Sequence, residues 1–143
     1  MEELFVREIK LLYKGRKKKI GHVDSPEKVY KLFSWMAKEL QESFVAVYLD
    51  NKNNVIGWTK ISMGTVSETI VHPRDVFRVA VRENASAIIV VHNHPTGETT
   101  PSREDLSTTN RLVDAGKTIG IPIVDHVIIG DNKYYSLKEG GHI

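Results

Sequence analysis

The sequence predicts a mixed α/β fold of the α+β kind, a mixed β-sheet packed with about three α-helices. Three observations predict it. Apolar residues recur at helical spacing in segments opened by Ser-Pro-Glu, Pro-Arg-Asp and Ser-Arg-Glu-Asp. Short β-branched runs separate those segments, bounded by Asn, Asp, Gly and Pro. One of the runs, Ala87 to Val91, is apolar at every position, as a strand buried on both faces must be.

Taken in order, Leu4 to Tyr13 reads as an N-terminal strand or extended arm, followed by the basic run Lys14-Gly15-Arg16-Lys17-Lys18-Lys19. Glycine inside that run makes it a solvated turn between two extended segments. A phosphate-contacting patch is the other reading. Residues 1–24 are thus expected to form an arm or strand pair and 25–143 the core of a single domain spanning 1–143. Ser25 followed by Pro26 and Glu27 is a helix start, and Val29, Leu32, Phe33, Met36 and Leu40 form one apolar stripe. Phe44 to Leu49 and Val55 to Ser62 read as strands joined by the polar stretch 50–54, and a further strand is expected near Thr65 to Val71. Pro73 to Glu83 opens with Pro and Asp in its first turn and reads as a helix. After the buried strand come a helix from Ser102 to Ala115, ending near Gly116, and strands around Ile121 to Ile129 and Lys133 to Ser136.

Composition bounds the function. The chain has 143 residues, 41% hydrophobic and 27% charged, a soluble globular balance with enough length to bury a core. No stretch approaches a membrane span, and Met1-Glu2-Glu3 lacks the basic start of a secretory signal, so the expectation is a cytoplasmic protein without membrane contact. A net charge of +2 gives no argument for nucleic acid. With no cysteine, disulfides and thiolate metal sites are excluded, and so are the cysteine-ligated nucleobase deaminases.

Chemistry concentrates in His92 to Asp105, read as HNHPTGETTPSRED. His92 and His94 leave the end of the buried strand, and with a period of two both imidazoles point to one side if extension persists through Asn93. Pro95 stops the strand and Gly97 allows a turn. Asp105 then lies in the first turn of the next helix, where side chains lean toward the N-terminus and so toward the histidines. Three such side chains hold a zinc ion and leave one position open, which is what a hydrolytic site needs and a structural site lacks. Ser102 and Asp105 also spell a helix capping pattern that requires no metal. Asp125 and His126, after another apolar stretch, could orient a metal-bound histidine through its second ring nitrogen or be a plain polar pair in a strand. His22, His72 and His142 need no metal.

His92, His94, Ser102 and Asp105 match without a gap the H-x-H, seven residues, S-x-x-D signature of the JAMM, or MPN-plus, metalloprotease family, which the chain resembles. Reading outward, SMGT (62–65), HPRDVFRVA (72–80), HNHPTGETTPSRED and DHVIIG (125–130) resemble the bacterial RadC-like JAB domains over about residues 25 to 140. The resemblance implies a JAB/MPN-like, cytidine-deaminase-like α-β-α fold. It implies Zn2+ held by His92, His94 and Asp105, a glutamate general base just before the first core strand, which here is Glu42, and oxyanion stabilisation by Ser102. Glu68 and Glu98 are the rivals of Glu42. Longer RadC-type proteins carry an N-terminal helical, DNA-binding-like region, for which the 143 residues are expected to leave no room. The implied reaction is hydrolysis of a peptide or isopeptide bond in a protein or peptide substrate whose identity, like the oligomeric state, the sequence does not give.

Two other classes fit parts of the sequence. His92, His94 and Glu98 spell the H-x-H-x-x-x-E of cupins, which requires an all-β barrel. A non-catalytic module could use the same fold and a structural metal to bind protein or DNA, in keeping with the DNA-repair label of RadC-like proteins.

Overall fold

In the computed structural model, residue 8 and residues 21–66 and 70–143 are described. The expectations for Leu4 to Tyr13, for the Lys14 to Lys19 run and for Glu68 lie outside them. Among the described residues the chain forms a five-stranded mixed sheet and three α-helices, a JAB/MPN-like arrangement. Helix α1 (Pro26–Phe33) is followed by a 3-10 turn (Ser34–Lys38), then strands β1 (Ser43–Leu49) and β2 (Val55–Met63). Helix α2 (Pro73–Arg82), strand β3 (Ala87–Asn93), helix α3 (Arg103–Ile119), and strands β4 (Ile123–Ile129) and β5 (Tyr134–Ser136) complete it.

The sheet order is β2-β1-β3-β4-β5. β3 lies at its centre, antiparallel to β1 and parallel to β4, and every residue of it is buried. A parallel neighbour requires a crossover, and α3 supplies it. The unbroken apolar run follows from cover on both faces. Phe44, Ala46, Tyr48, Ile88 and Val90 pack with Val76, Phe77 and Leu112 of α2 and α3. Val45, Val47, Ile89, Val91 and Val127 pack with Val29 and Phe33 of α1 and Met36 of the 3-10 turn. The histidines thus leave a central strand that cannot shift without disturbing both cores.

Three expectations are corrected. The stripe expected to run helically to Leu40 stops being α-helical at Phe33, and Leu40 is 94% exposed. The 3-10 turn keeps Met36 in the core with Val29 but ends at Lys38, and the extended backbone of Glu39 carries Leu40 away from that face. No strand forms at the described residues around 65–71. There the Gly64 N–H is spent on the Glu42 carbonyl (2.7 Å) and the Val66 N–H on the Glu42 carboxylate (2.9 Å), so the backbone turns toward the site instead of pairing in a ladder. Finally, α3 continues past Gly116 to Ile119 and ends at Gly120, which has φ +87.

Gly116 is therefore not a terminator but a point of close approach. A Cβ there would stand 2.6 Å from the carbonyl oxygen of Ile121 and 3.4 Å from the ring of Phe77. Gly116→Ala gains up to about 1 kcal/mol of helix propensity. It forces α3 off the start of β4 at a cost of about 1–3 kcal/mol, as overpacking does. Net destabilisation, read as a lower urea midpoint with unchanged slope, is the expected result.

Candidate metal centre

Extension persists past the end of β3, because the His94 N–H donates to the Ile129 carbonyl at 2.9 Å and continues the parallel ladder. His92 and His94 therefore share a side. Their Nε2 atoms stand 2.9 Å apart. The chain then turns, with the Gly97 N–H on the His94 carbonyl (2.9 Å) and Gly97 at φ +88, a conformation that favours glycine. This returns the chain to Ser102, the N-cap of α3.

At that helix start the capping reading of Ser102 and Asp105 is met. The Ser102 hydroxyl oxygen accepts from the Asp105 N–H (3.0 Å), and Asp105 Oδ2 accepts from the Ser102 N–H (2.8 Å), a complete capping box. The box aims the carboxylate at the histidines. Asp105 Oδ1 lies 3.2 Å from His92 Nε2, and Oδ2 lies 3.1 Å from His94 Nε2. Capping uses an oxygen lone pair of Ser102 and leaves its hydroxyl proton available, with the residue exposed beside the cleft.

Ligands about 2.0–2.1 Å from a tetrahedral zinc stand roughly 3.3 Å from one another. The separations between His92, His94 and Asp105 come close to that edge. Protonation fits too. His94 Nδ1 donates to the Glu98 carbonyl at 2.8 Å, so in the neutral ring Nε2 carries a lone pair. Lone pairs and a carboxylate so placed repel unless a cation lies among them. The hydrogen bond to Asp105 raises the pKa of His94 against the opposing pull of burial. Burial pushes the Asp105 carboxyl up, and the facing imidazoles outweigh it and hold the group well below the usual carboxylate range. Positive charge, a proton or a metal ion, is what this centre is built to hold.

Glu42 comes from the other side, immediately before β1. Among the described residues, Glu42, His92 and His94 each bring one ligand atom within 4.8 Å of the others. The residue between the two histidines secures that placement. Asn93 points to the opposite face, buried, where its Oδ1 accepts from the Ser43 N–H (2.7 Å) and its Nδ2 donates to the Gln41 carbonyl (3.0 Å). It clamps the residues on either side of Glu42. The sequence reading did not single out Asn93; a polar residue at the buried end of an apolar strand was the available sign. A cleft of about 260 Å³ opens over the site, with Glu42, Val66, Pro95, Ser102 and Asp105 in its wall.

Of the residues left open by sequence, Glu98 turns its carboxylate away onto Lys133 (3.0 Å) and offers the site only its carbonyl. With three helices present as well, the cupin reading falls. Asp125 faces the α1 side of the sheet and accepts from the Ser136 hydroxyl (2.7 Å), the His126 N–H (2.7 Å) and the Lys138 N–H (3.1 Å); burial raises its pKa despite these partners. It does not reach the histidines. His126 does, with Nε2 2.6 Å from His92 Nδ1. Phe44 packs on both rings, stacked on His92 and edge-on to His126. His22 pairs with Asp24, His72 precedes α2, and His142 meets the Tyr135 hydroxyl.

Residues 23–142 match the sequence profile of the RadC-like JAB domain. A UPF0758 protein of Bacillus cereus (strain B4264) is 48% identical over 145 residues, covering 99% of this chain and 61% of the relative. A UPF0758 protein of Methanosarcina mazei is 45% identical over 122 residues, 85% of this chain and 53% of the relative. One from Methanococcoides burtonii is 46% identical over 138 residues, 96% and 59% respectively. The chain spans about three-fifths of the length of the Bacillus relative. No described helix is long and apolar enough to cross a membrane.

Proposed function

The chain belongs to the RadC-like JAB domain family, and from that premise we propose that it is a zinc-dependent hydrolase of amide bonds, a metalloprotease or isopeptidase acting on a protein or peptide. The observation that carries this reading is the convergence of His92 Nε2, His94 Nε2 and the Asp105 carboxylate at separations of 2.9–3.2 Å beside an open cleft. Three protein ligands would hold the ion. When bound, zinc supplies a Lewis acid that makes hydroxide available near neutral pH.

The remaining work falls to side chains already in place. Glu42, fixed at one oxygen by the Val66 N–H, takes a proton from the attacking water and returns it to the leaving amine. Ser102 donates its spare hydroxyl proton to the oxygen that gains charge as the carbonyl becomes tetrahedral. Glu42 and Asp105 play opposite parts for a physical reason. Asp105 faces two imidazoles and stays ionised to bind a cation. Glu42 stands in the cleft wall, where it can reach an attacking water.

The test is a panel of peptides and isopeptide-linked reporters incubated with the zinc-loaded protein. Cleavage that stops on chelation and returns with zinc is expected. Stoichiometric zinc with no cleavage anywhere in the panel would instead support a module whose metal serves structure.

A further inference from the structure

His126 is completely buried and belongs to no ligand set. Thr109, also buried, lies one turn after Asp105 on the same face of α3. We propose that these two are positioning residues that lock His92 in the tautomer whose Nε2 lone pair faces the metal, a reading that rests on the metal site proposed above. Threonine has one hydroxyl proton, and the direction of every bond in the chain follows from where that proton goes.

The Thr109 hydroxyl lies 2.7 Å from the main-chain carbonyl of Asp105, which can only accept. The proton is spent there. Thr109 Oγ1 therefore meets His126 Nδ1, at 2.5 Å, as an acceptor, and Nδ1 carries the hydrogen. With no carboxylate in hydrogen-bond contact and no exposure to water, His126 is a neutral ring, so its Nε2 holds a lone pair. At 2.6 Å, His92 Nδ1 must then be the donor. In the neutral ring, the form that binds a cation, that assignment leaves the lone pair on His92 Nε2, 2.9 Å from His94 Nε2 and 3.2 Å from Asp105 Oδ1. The relay starts at the Asp105 carbonyl and ends at the His92 ring, whose Nε2 lies beside the carboxylate of the same aspartate. A metal-bound histidine usually donates its second N–H to a carboxylate, a carbonyl or water. Here a neutral imidazole, aimed by a threonine, takes that place.

The experiment compares wild type, Thr109→Val and Thr109→Ser as full chains. Zinc affinity is measured by competition with a chromogenic chelator, and histidine tautomers by long-range 1H–15N correlation spectra. Valine keeps the shape of threonine and removes its oxygen. Thr109→Val is expected to bind zinc roughly 10–100-fold more weakly, the usual effect of losing an outer hydrogen-bond partner. Thr109→Ser should recover wild-type affinity to within about twofold, since it restores the oxygen without the methyl group. In wild type, His126 should show its hydrogen on Nδ1, a reading that requires no variant to fold. Wild-type affinity in Thr109→Val, or a hydrogen on His126 Nε2, would overturn the relay while leaving the metal site standing. A wild-type protein that takes up no zinc sinks the metal site, and the relay's purpose with it.

Discussion

Asp105→Asn is expected to empty the metal centre while leaving the helix it caps intact. The asparagine carbonyl can still accept from the Ser102 N–H, as Asp105 Oδ2 does at 2.8 Å, so the start of α3 keeps its hydrogen bond. What changes is the other end of the side chain. With the carbonyl at the Oδ2 position, the amide NH2 stands where Oδ1 now is and would donate to the lone pair of His92, filling with hydrogens the space a cation needs. The one anionic ligand of the set is lost at the same time. Structural zinc sites contribute about 10–16 kcal/mol through four ligands. One ligand is then worth on the order of 3 kcal/mol, or roughly 100-fold in affinity. Zinc per chain after gel filtration, read by elemental analysis, should fall from about one to near zero. His92→Ala should lose the metal as well, but at a structural cost, because its ring is buried against Phe44 and His126 and its removal opens a cavity. Retention of one zinc by Asp105→Asn with native circular dichroism would remove Asp105 from the ligand set.

The placement of Asp105 shows what a sequence can and cannot convey. Capping and metal binding compete as readings of Ser-x-x-Asp, yet the capping box is what turns the carboxylate toward the histidines. The capping box was legible, as was the buried strand that delivers His92 and His94, because local spacing alone determines them. The choice between Asp125 and His126 was not. Which of two adjacent strand residues faces the site depends on the register of β4 against β3, and that register shifts between Ile88 and Ile89. A slip of one residue exchanges the two faces. Asn93 and Thr109 were missed for the same reason. Their partners, Gln41, Ser43 and His126, are distant in sequence and meet only when the sheet and α3 are assembled. The absence of a strand at the described residues 65 and 66 has a related cause, since the backbone N–H groups of Gly64 and Val66 go to Glu42.

Glu42→Gln should do the reverse of Asp105→Asn, retaining zinc and losing turnover. Glutamine has the shape of glutamate, and its carbonyl can keep the Val66 N–H bond of 2.9 Å; the clamp of Asn93 on Ser43 and Gln41 is untouched. Only the basicity goes. A positioned general base contributes about 10²–10⁴ in rate, so the turnover of whichever reporter the wild type cleaves should fall by that factor. The affinity for the reporter should change little, because the variant fills the same volume in the cleft wall. Zinc content separates this role from its competitor. Glu42 comes within 4.8 Å of the ring nitrogens of His92 and His94, close enough that a shift of the side chain would let it ligate the ion directly. A ligand replaced by an amide gives up metal, whereas a base replaced by an amide gives up only rate. Full zinc with a rate lowered at least about 100-fold makes Glu42 the base. Lost zinc makes it a ligand, and an unchanged rate moves the proton-accepting role to another group at the cleft.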